Sequence, residues 1–323
     1  MESERHLLSQ ADSFAVVPEP RAKLSAWERC GSTQIPSRDV QPVQLFAHSS
    51  PVGRGFRALA IHGIEADELA SFAEAPERIL DDPSATLIKR GRSALVVHVA
   101  LTISGTAIQT AYKRCGSRTQ LRRLVRGIRT SAARRNFLLG HRLLSLGIAT
   151  PRPVLAVSPR WHHLLSPSFL ATEWIEGALP LDAFTRTAVA WGSARRRAAL
   201  RETARQLGRL IGTLHKHGYS HRDLKSANLL VREINGEIEV FLVDLDGASR
   251  PRFRIDAARL KNLARLQEAS SQITAVTSTL RCRFLNAYLR TLGRHEAWKT
   301  IWRRLQKTSR IPPRPVGGRV DAH

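Results

Sequence analysis

The chain has 323 residues, of which 42% are hydrophobic, a length and composition that allow one large core or two lobes and exclude disorder of the whole. No run approaches the roughly eighteen apolar residues of a membrane span; the best, Ala94 to Ile103, contains His98 and has the length of a strand. The formal net charge of +24 asks for an anionic partner, whether nucleic acid, a membrane surface or a phosphorylated substrate, and does not choose among them. The N-terminus, Met1-Glu2-Ser3-Glu4, has neither the basic start nor the apolar segment of a secretory signal, so a soluble, cytoplasmic protein is expected. Cys30, Cys115 and Cys282 are odd in number and far apart, which supports neither a disulfide framework nor a zinc site.

In chain order, residues 1–55 mix Ser, Pro and charge without a sustained period and read as an irregular extension. Ile64 to Leu80 has helical spacing. Thr86 to Lys89, Ala94 to Leu101 and Ala107 to Arg114 read as an antiparallel meander, with Gly91 and Ser104-Gly105 at its turns. A strongly basic helix is expected from Arg118 to Leu146, stopped by Gly147. Thr150-Pro151-Arg152-Pro153 forces an extended connection, and Ser168 to Ile175 reads as a further strand. These elements make a first lobe over 56–177. Ser193 to His217 carries Leu200, Leu207, Leu210, Ile211 and Leu214 at helical spacing and closes at Gly218. Leu229 to Glu233 and Glu237 to Val243 flank Asn235-Gly236, a strong hairpin signal. Helices over Asp256 to Ser271 and Thr277 to Leu292 complete a helical lobe over 178–310, and a Pro- and Arg-rich tail over 311–323 is expected to be loose. The fold class is α+β, with two lobes: a small antiparallel-sheet N-lobe and a mostly helical C-lobe.

The chemistry lies at the two ends of the hairpin. His221-Arg222-Asp223-Leu224-Lys225-Ser226-Ala227-Asn228 precedes it, and Val243-Asp244-Leu245-Asp246-Gly247 follows it. Phosphoryl transfer asks for little covalent chemistry, but it needs a carboxylate to orient the attacking hydroxyl and oxygen ligands for magnesium. Asp223 fits the first need. Asn228 and Asp244 fit the second, holding Mg2+ against the phosphates of ATP. Lys225 offsets charge on the transferring group. Asp246 offers a second carboxylate that either touches magnesium or caps the loop.

This set resembles the protein-kinase-like superfamily, and within it the lipopolysaccharide kinase (Kdo/WaaP) group. The likeness spans roughly residues 86 to 305 and includes Tyr112-Lys113-Arg114, Ser131-Ala132-Ala133-Arg134-Arg135, the run from Leu146 to Pro153, Asn262-Leu263-Ala264-Arg265-Leu266, and Arg283 to Leu289. The resemblance implies transfer of phosphate from ATP to sugars of the lipid A and inner-core region at the cytoplasmic membrane face. It also implies that Lys113 binds the nucleotide phosphates, that Gly91 and Arg92 lie in the phosphate-covering loop, and that Glu173 and Trp174 belong to the hinge that receives adenine. One departure concerns Lys113. Kinase-like folds pair this lysine with a glutamate on the following helix, but from Arg114 to Thr172 the chain has no carboxylate at all. Asn136 stands near the place of that glutamate, so other groups, Asp244 among them, must position Lys113, or else the chain is an impaired, nucleotide-binding pseudokinase.

From Lys113 to Thr172 the chain holds twelve Lys or Arg. This stretch fits a solvated face, a surface for anionic lipid or phosphosugar, or a nucleic-acid patch. Peripheral contact with an anionic membrane is the preferred reading, and nucleic acid ranks last because Phe137 is the one aromatic residue between Lys113 and Leu146. Only about ten residues separate Asp244 from the next expected helix, too few for the segment on which protein kinases dock a peptide. The acceptor is therefore expected to be an anionic glycolipid or sugar, with a soluble acceptor of the aminoglycoside or choline type as the alternative.

Overall fold

The computed structural model describes residues 56–61, 64–91, 94–116, 131–159, 167–251, 253, 255–271, 273, 275–294 and 299–303. The expected N-terminal extension, the C-terminal tail, the stretch from Arg118 to Thr130, Arg92 and Arg160 lie outside these residues.

Alternating apolar positions produce the predicted meander, with each strand somewhat longer than expected: β2 (Thr86–Gly91), β3 (Ala94–Ile103) and β4 (Thr106–Cys115). Ser104 and Gly105 join β3 to β4 with φ of 49° and 73°, the left-handed pair that suits a two-residue hairpin. The sheet continues through β6 (Ser168–Glu173), β5 (Pro153–Pro159) and β1 (Phe56–Ala60), giving the antiparallel order β1-β5-β6-β4-β3-β2. β1 and β5 are not predicted. The prolines of β5 sit at its two ends, where they mimic a connection, yet Val154 to Val157 between them are buried.

One face of the sheet packs Val97, Val99, Leu101, Tyr112 and Phe169 against Leu69 of α1 (Ala66–Glu74). This helix is shorter than expected because Pro76 interrupts it, and a 3₁₀ turn follows over Arg78–Asp81. The other face receives Ala133 and Phe137 of α2 (Ala132–Ser145). Ser131 caps α2 by accepting from the Arg134 amide at 3.2 Å. At the far end Gly147, at φ 71°, turns the chain so that the Ile148 N–H returns to the Leu143 carbonyl.

The second lobe begins with β7 (Leu179–Pro180) and an unpredicted α3 (Leu181–Val189), whose nine residues are too few for a clear period. The long helix α4 (Ser193–Lys216) follows, then β8 (Ser220–His221) and the hairpin of β9 (Leu229–Ile234) and β10 (Glu237–Leu242). Asn235 and Gly236 turn the hairpin at φ 51° and 83°, as their sequence predicts. After β11 (Ala248–Ser249) come α5 (Ile255–Ser271) and α6 (Ser278–Thr291), close to their expected bounds. The core joins Leu207, Ile211 and Leu214 of α4 to Leu229, Leu242, Leu263 and Leu289. Leu143 and Ile148 enter the same core, so the end of α2 is anchored in the second lobe. Among the described residues no helix is long and apolar enough to cross a membrane.

Candidate active site

The two-residue period of β4 places its lysine. Tyr112 is fully buried on the α1 face and donates its hydroxyl to the Pro76 carbonyl at 2.8 Å, so Lys113 must leave the opposite face, where α2 lies. Its ammonium meets Asp244 Oδ1 at 2.6 Å and Asp246 Oδ2 at 2.7 Å, bringing the strand-borne lysine onto the loop that follows the hairpin. Burial disfavours the charged lysine, but Asp246, Cys115 and Asp244 outweigh it and hold its pKa above the ordinary value.

Several backbone bonds lace the two loops of the second lobe together. β8 pairs with β11, the Arg222 amide donates to Gly247 at 2.7 Å, and the Val243 amide donates to Asn228 at 3.0 Å. His221 Nε2 donates to the Asp244 carbonyl at 3.0 Å, which fixes the tautomer, and burial lowers the pKa of the imidazole. Asp244 stands in the left-handed region at φ 59°, an uncommon conformation for a residue with a side chain. Gly247 cannot carry a side chain without moving the loops: a Cβ there would lie 2.8 Å from the His221 ring and 3.2 Å from the Asp223 amide.

Asn228 is 3% exposed and donates Nδ2 to the Asp223 carbonyl at 2.8 Å, which leaves its Oδ1 as the acceptor on offer. Lys225 forms an ion pair with Asp223 Oδ2 at 2.7 Å. Partial burial raises the Asp223 pKa, but the Lys225 hydrogen bond and charge, with Asn228 and His221, outweigh it and hold the carboxyl below its usual value. Asp246 is likewise held low against burial, by Lys113, Asn136 and Arg135. Lys113, Asp244 and Asp246 thus form one ion-paired group and Asp223, Lys225 and Asn228 another, and His221 with the backbone bonds joins the loops that carry them.

Support for these groups comes from residues outside the two loops. Asn262 of α5 brackets His221, accepting from its amide at 2.9 Å and donating to its carbonyl at 3.0 Å. The same Asn262 oxygen accepts from His215 Nε2 at 3.1 Å, so His215 Nδ1 accepts from the Tyr288 hydroxyl at 2.8 Å. Asn136 of α2 donates to Asp246 Oδ1 at 2.7 Å. In the sequence, the available signal was a polar residue on an otherwise apolar helix face.

The remaining predicted residues lie in the first lobe. Glu173 forms a salt bridge with Arg152 at 2.6 Å, and Trp174 stacks on His98 with ring centroids 4.3 Å apart. The Glu173 and Trp174 amides donate to Arg152 and Gln109 carbonyls, so both N–H groups are used within the protein. Gly91 ends β2 opposite Ala94, and a Cβ there would make ordinary contact with the Ala94 carbonyl at 3.6 Å. Its backbone does not demand glycine. The basic stretch is partly neutralised by carboxylates from elsewhere in the chain: Arg114 meets Glu77, Arg152 meets Glu173, and Arg135 meets Asp246.

Among the described residues no group of three or more His, Cys, Asp or Glu side chains is assembled to hold a metal ion. Magnesium needs no such cage, being held by one or two protein oxygens together with substrate phosphates and water. The Asn228 amide oxygen and the Asp244 carboxylate suit that requirement.

The model of the lipopolysaccharide kinase (Kdo/WaaP) family matches residues 91–288, more than half of the chain and the whole of both ion-paired groups. The chain belongs to that family. It is similar to proteins named 3-deoxy-D-manno-octulosonic acid kinase from Haemophilus influenzae, at 29% identity for strain 86-028NP and 28% for strain PittEE, over 143 residues in each case. These matches cover 44% of this chain and 55% of the relatives, so the chain spans about half the length of the curated relatives it matches. A solved structure described as WaaP in complex with acyl carrier protein aligns with a TM-score of 0.52 and 17% identity, over 78% of this chain and 99% of that one. The likeness to that structure shows a protein-kinase-like fold, and the two-lobed α+β expectation holds.

Proposed function

We propose that this family member is an ATP- and magnesium-dependent phosphotransferase whose acceptor is a sugar hydroxyl of a lipopolysaccharide or lipid A-core glycolipid. The observation that carries the reading is the meeting of Lys113 with Asp244 beside the hydrogen-bonded pair Asp223 and Asn228. In this reading the acceptor oxygen attacks the γ-phosphorus, the bond from that phosphorus to the ADP oxygen breaks, and the hydroxyl proton passes to Asp223. Lys225 turns from Asp223 toward the transferring phosphoryl group, and Lys113 takes the nucleotide phosphates. Asn228 and Asp244 would hold magnesium, which supplies charge neutralisation at those phosphates when bound.

The sugar class follows the names of the similar proteins, and the short link from Asp244 to α5 leaves no room for a peptide-docking segment. Glu173 and Trp174 would frame adenine through their carbonyls and the Trp174–His98 ring pair, and Gly91 with Arg92 would cover the phosphates. We place the enzyme in the cytoplasm, in peripheral contact with the anionic inner membrane face through its Arg-rich 113–160 region.

Transfer of labelled phosphate from ATP to a glycolipid extract, beside a panel of soluble aminoglycoside and choline acceptors, tests the reading. Labelled glycolipid is expected, with Asp223→Ala lowering turnover a hundredfold or more while nucleotide affinity stays near normal. Label on soluble acceptors alone would reassign the substrate. No label on any acceptor with retained nucleotide binding would make the chain a pseudokinase.

A further inference from the structure

We infer that Asp246 is the positioning residue for Lys113, in place of the helix glutamate that kinase-like folds use, and that Asn136 and Arg135 hold it in that role. The inference rests on the phosphotransferase reading and goes beyond it in separating the two carboxylates of the Asp244-Leu245-Asp246 loop.

The described part of α2 offers the lysine no carboxylate, since its sequence is AARRNFLLGHRLLS. A carboxylate reaches Lys113 from the other lobe instead. Asp246 Oδ2 lies 2.7 Å from the ammonium, while Oδ1 accepts from Asn136 Nδ2 at 2.7 Å and from Arg135 Nη2 at 3.2 Å. Both oxygens are therefore engaged by donors on β4 and α2. A magnesium ion at Asp246 would have to displace them.

Asp244 is placed differently. One of its oxygens meets Lys113, and its left-handed backbone conformation turns it out at the start of the 3₁₀ turn over Leu245–Gly247. When nucleotide and magnesium bind, Lys113 can exchange Asp244 for phosphate oxygens and remain on Asp246. Asp244 would then be free to hold the metal.

Asn136 fixes this division of roles. It is 1% exposed and spends Nδ2 on Asp246; among the described residues its Oδ1 has no partner, and the reversed amide would set that oxygen against the carboxylate. Swinging the helix after the lysine strand away from the cleft switches many kinases off by breaking the lysine–glutamate pair. Here the carboxylate stands on the metal-binding loop itself, and moving α2 would break Asn136–Asp246 without carrying off the lysine's counter-charge.

Equilibrium binding of a fluorescent ATP analogue to the full chain, titrated with and without magnesium, tests this without any acceptor. Asp246→Asn is expected to weaken nucleotide binding about tenfold to a hundredfold with the magnesium half-saturation point unchanged. Asp244→Asn should instead raise the magnesium requirement. The double variant Asp246→Asn/Asn136→Asp, which moves the carboxylate onto α2, is expected to recover most of the lost affinity. A rise in magnesium requirement for Asp246→Asn matching that of Asp244→Asn would make Asp246 a metal ligand and overturn the inference, as would unchanged nucleotide affinity. If the unmodified chain bound no nucleotide at all, the phosphotransferase reading itself would fall, and this inference with it.

Discussion

At the scale of single residues, the support beneath the loop that carries Asp223 is a chain of buried polar groups in which each member satisfies the next. Tyr288 is the sole described donor to His215 Nδ1, and His215 in turn donates to the Asn262 oxygen that holds the His221 amide. Tyr288→Phe removes one hydroxyl and leaves a buried acceptor unpaired, at a cost of about 1–3 kcal/mol. Urea denaturation should show the midpoint falling with the slope unchanged. An unchanged midpoint would mean that water replaces the hydroxyl. The candidate site residues are legible in the sequence because Asp223, Lys225 and Asn228 stand within six positions, and Asp244 and Asp246 within three. Their spacing is itself the signal. Asn262 and Tyr288 lie in stretches that carry the family likeness and Asn136 lies near the place of the missing glutamate, but their partners, like His215 itself, are not legible, because a polar residue on an apolar helix face acquires its role only from a partner on another element.

Among the elements, the crossing of α4 and α6 depends on two residues that have no side chain. A Cβ on Gly208 would lie 2.5 Å from the Phe284 carbonyl oxygen, and one on Gly212 would lie 2.7 Å from Thr291 Cβ. Two opposing effects meet in Gly208→Ala. Alanine raises helix propensity by about 1 kcal/mol, but the clash is with backbone, which cannot rotate away, and overpacking typically costs about 1–3 kcal/mol. The clash should win, so thermal unfolding followed by circular dichroism is expected to move down by several degrees. A rise in melting temperature would show that the helices separate freely. Element boundaries are legible where a local stop acts alone, as at Gly147 and Asn235-Gly236. They are hidden at β5, where prolines at both ends mask a strand that neighbouring strands pair on either side.

For the molecule as a whole, buried histidines set a pH limit on folding. Burial pushes His215 down to about 4, with the Asn262 hydrogen bond opposing and Arg259 assisting, and His141 is pushed down to about 4 by burial as well. The unfolded chain takes up these protons below its ordinary value near 6.5, whereas the folded chain resists until about 4, so stability is lost as the pH falls through that window. For fully buried His215 the loss is on the order of 3 kcal/mol. Stabilisation from the depressed carboxyls of Asp223 and Asp246 disappears only at still lower pH. Urea unfolding at pH 7.5 and pH 5.0 should show the decline, and His215→Gln should flatten it; equal slopes of stability against pH in both proteins would remove His215 as its source.

The sequence alone determined the candidate site set, the hairpin that spaces it and the division into a sheet lobe and a helical lobe. These depend on short-range periodicity, turn residues and motif spacing, which the chain carries locally. Tertiary structure decided which carboxylate answers which cation. Lys113 finds Asp246 across 133 positions, and Arg114, Arg135 and Arg152 find Glu77, Asp246 and Glu173 from outside their own charge-rich stretch. Charge pairing is set by the elements that fold face to face, and no local pattern along the chain encodes that.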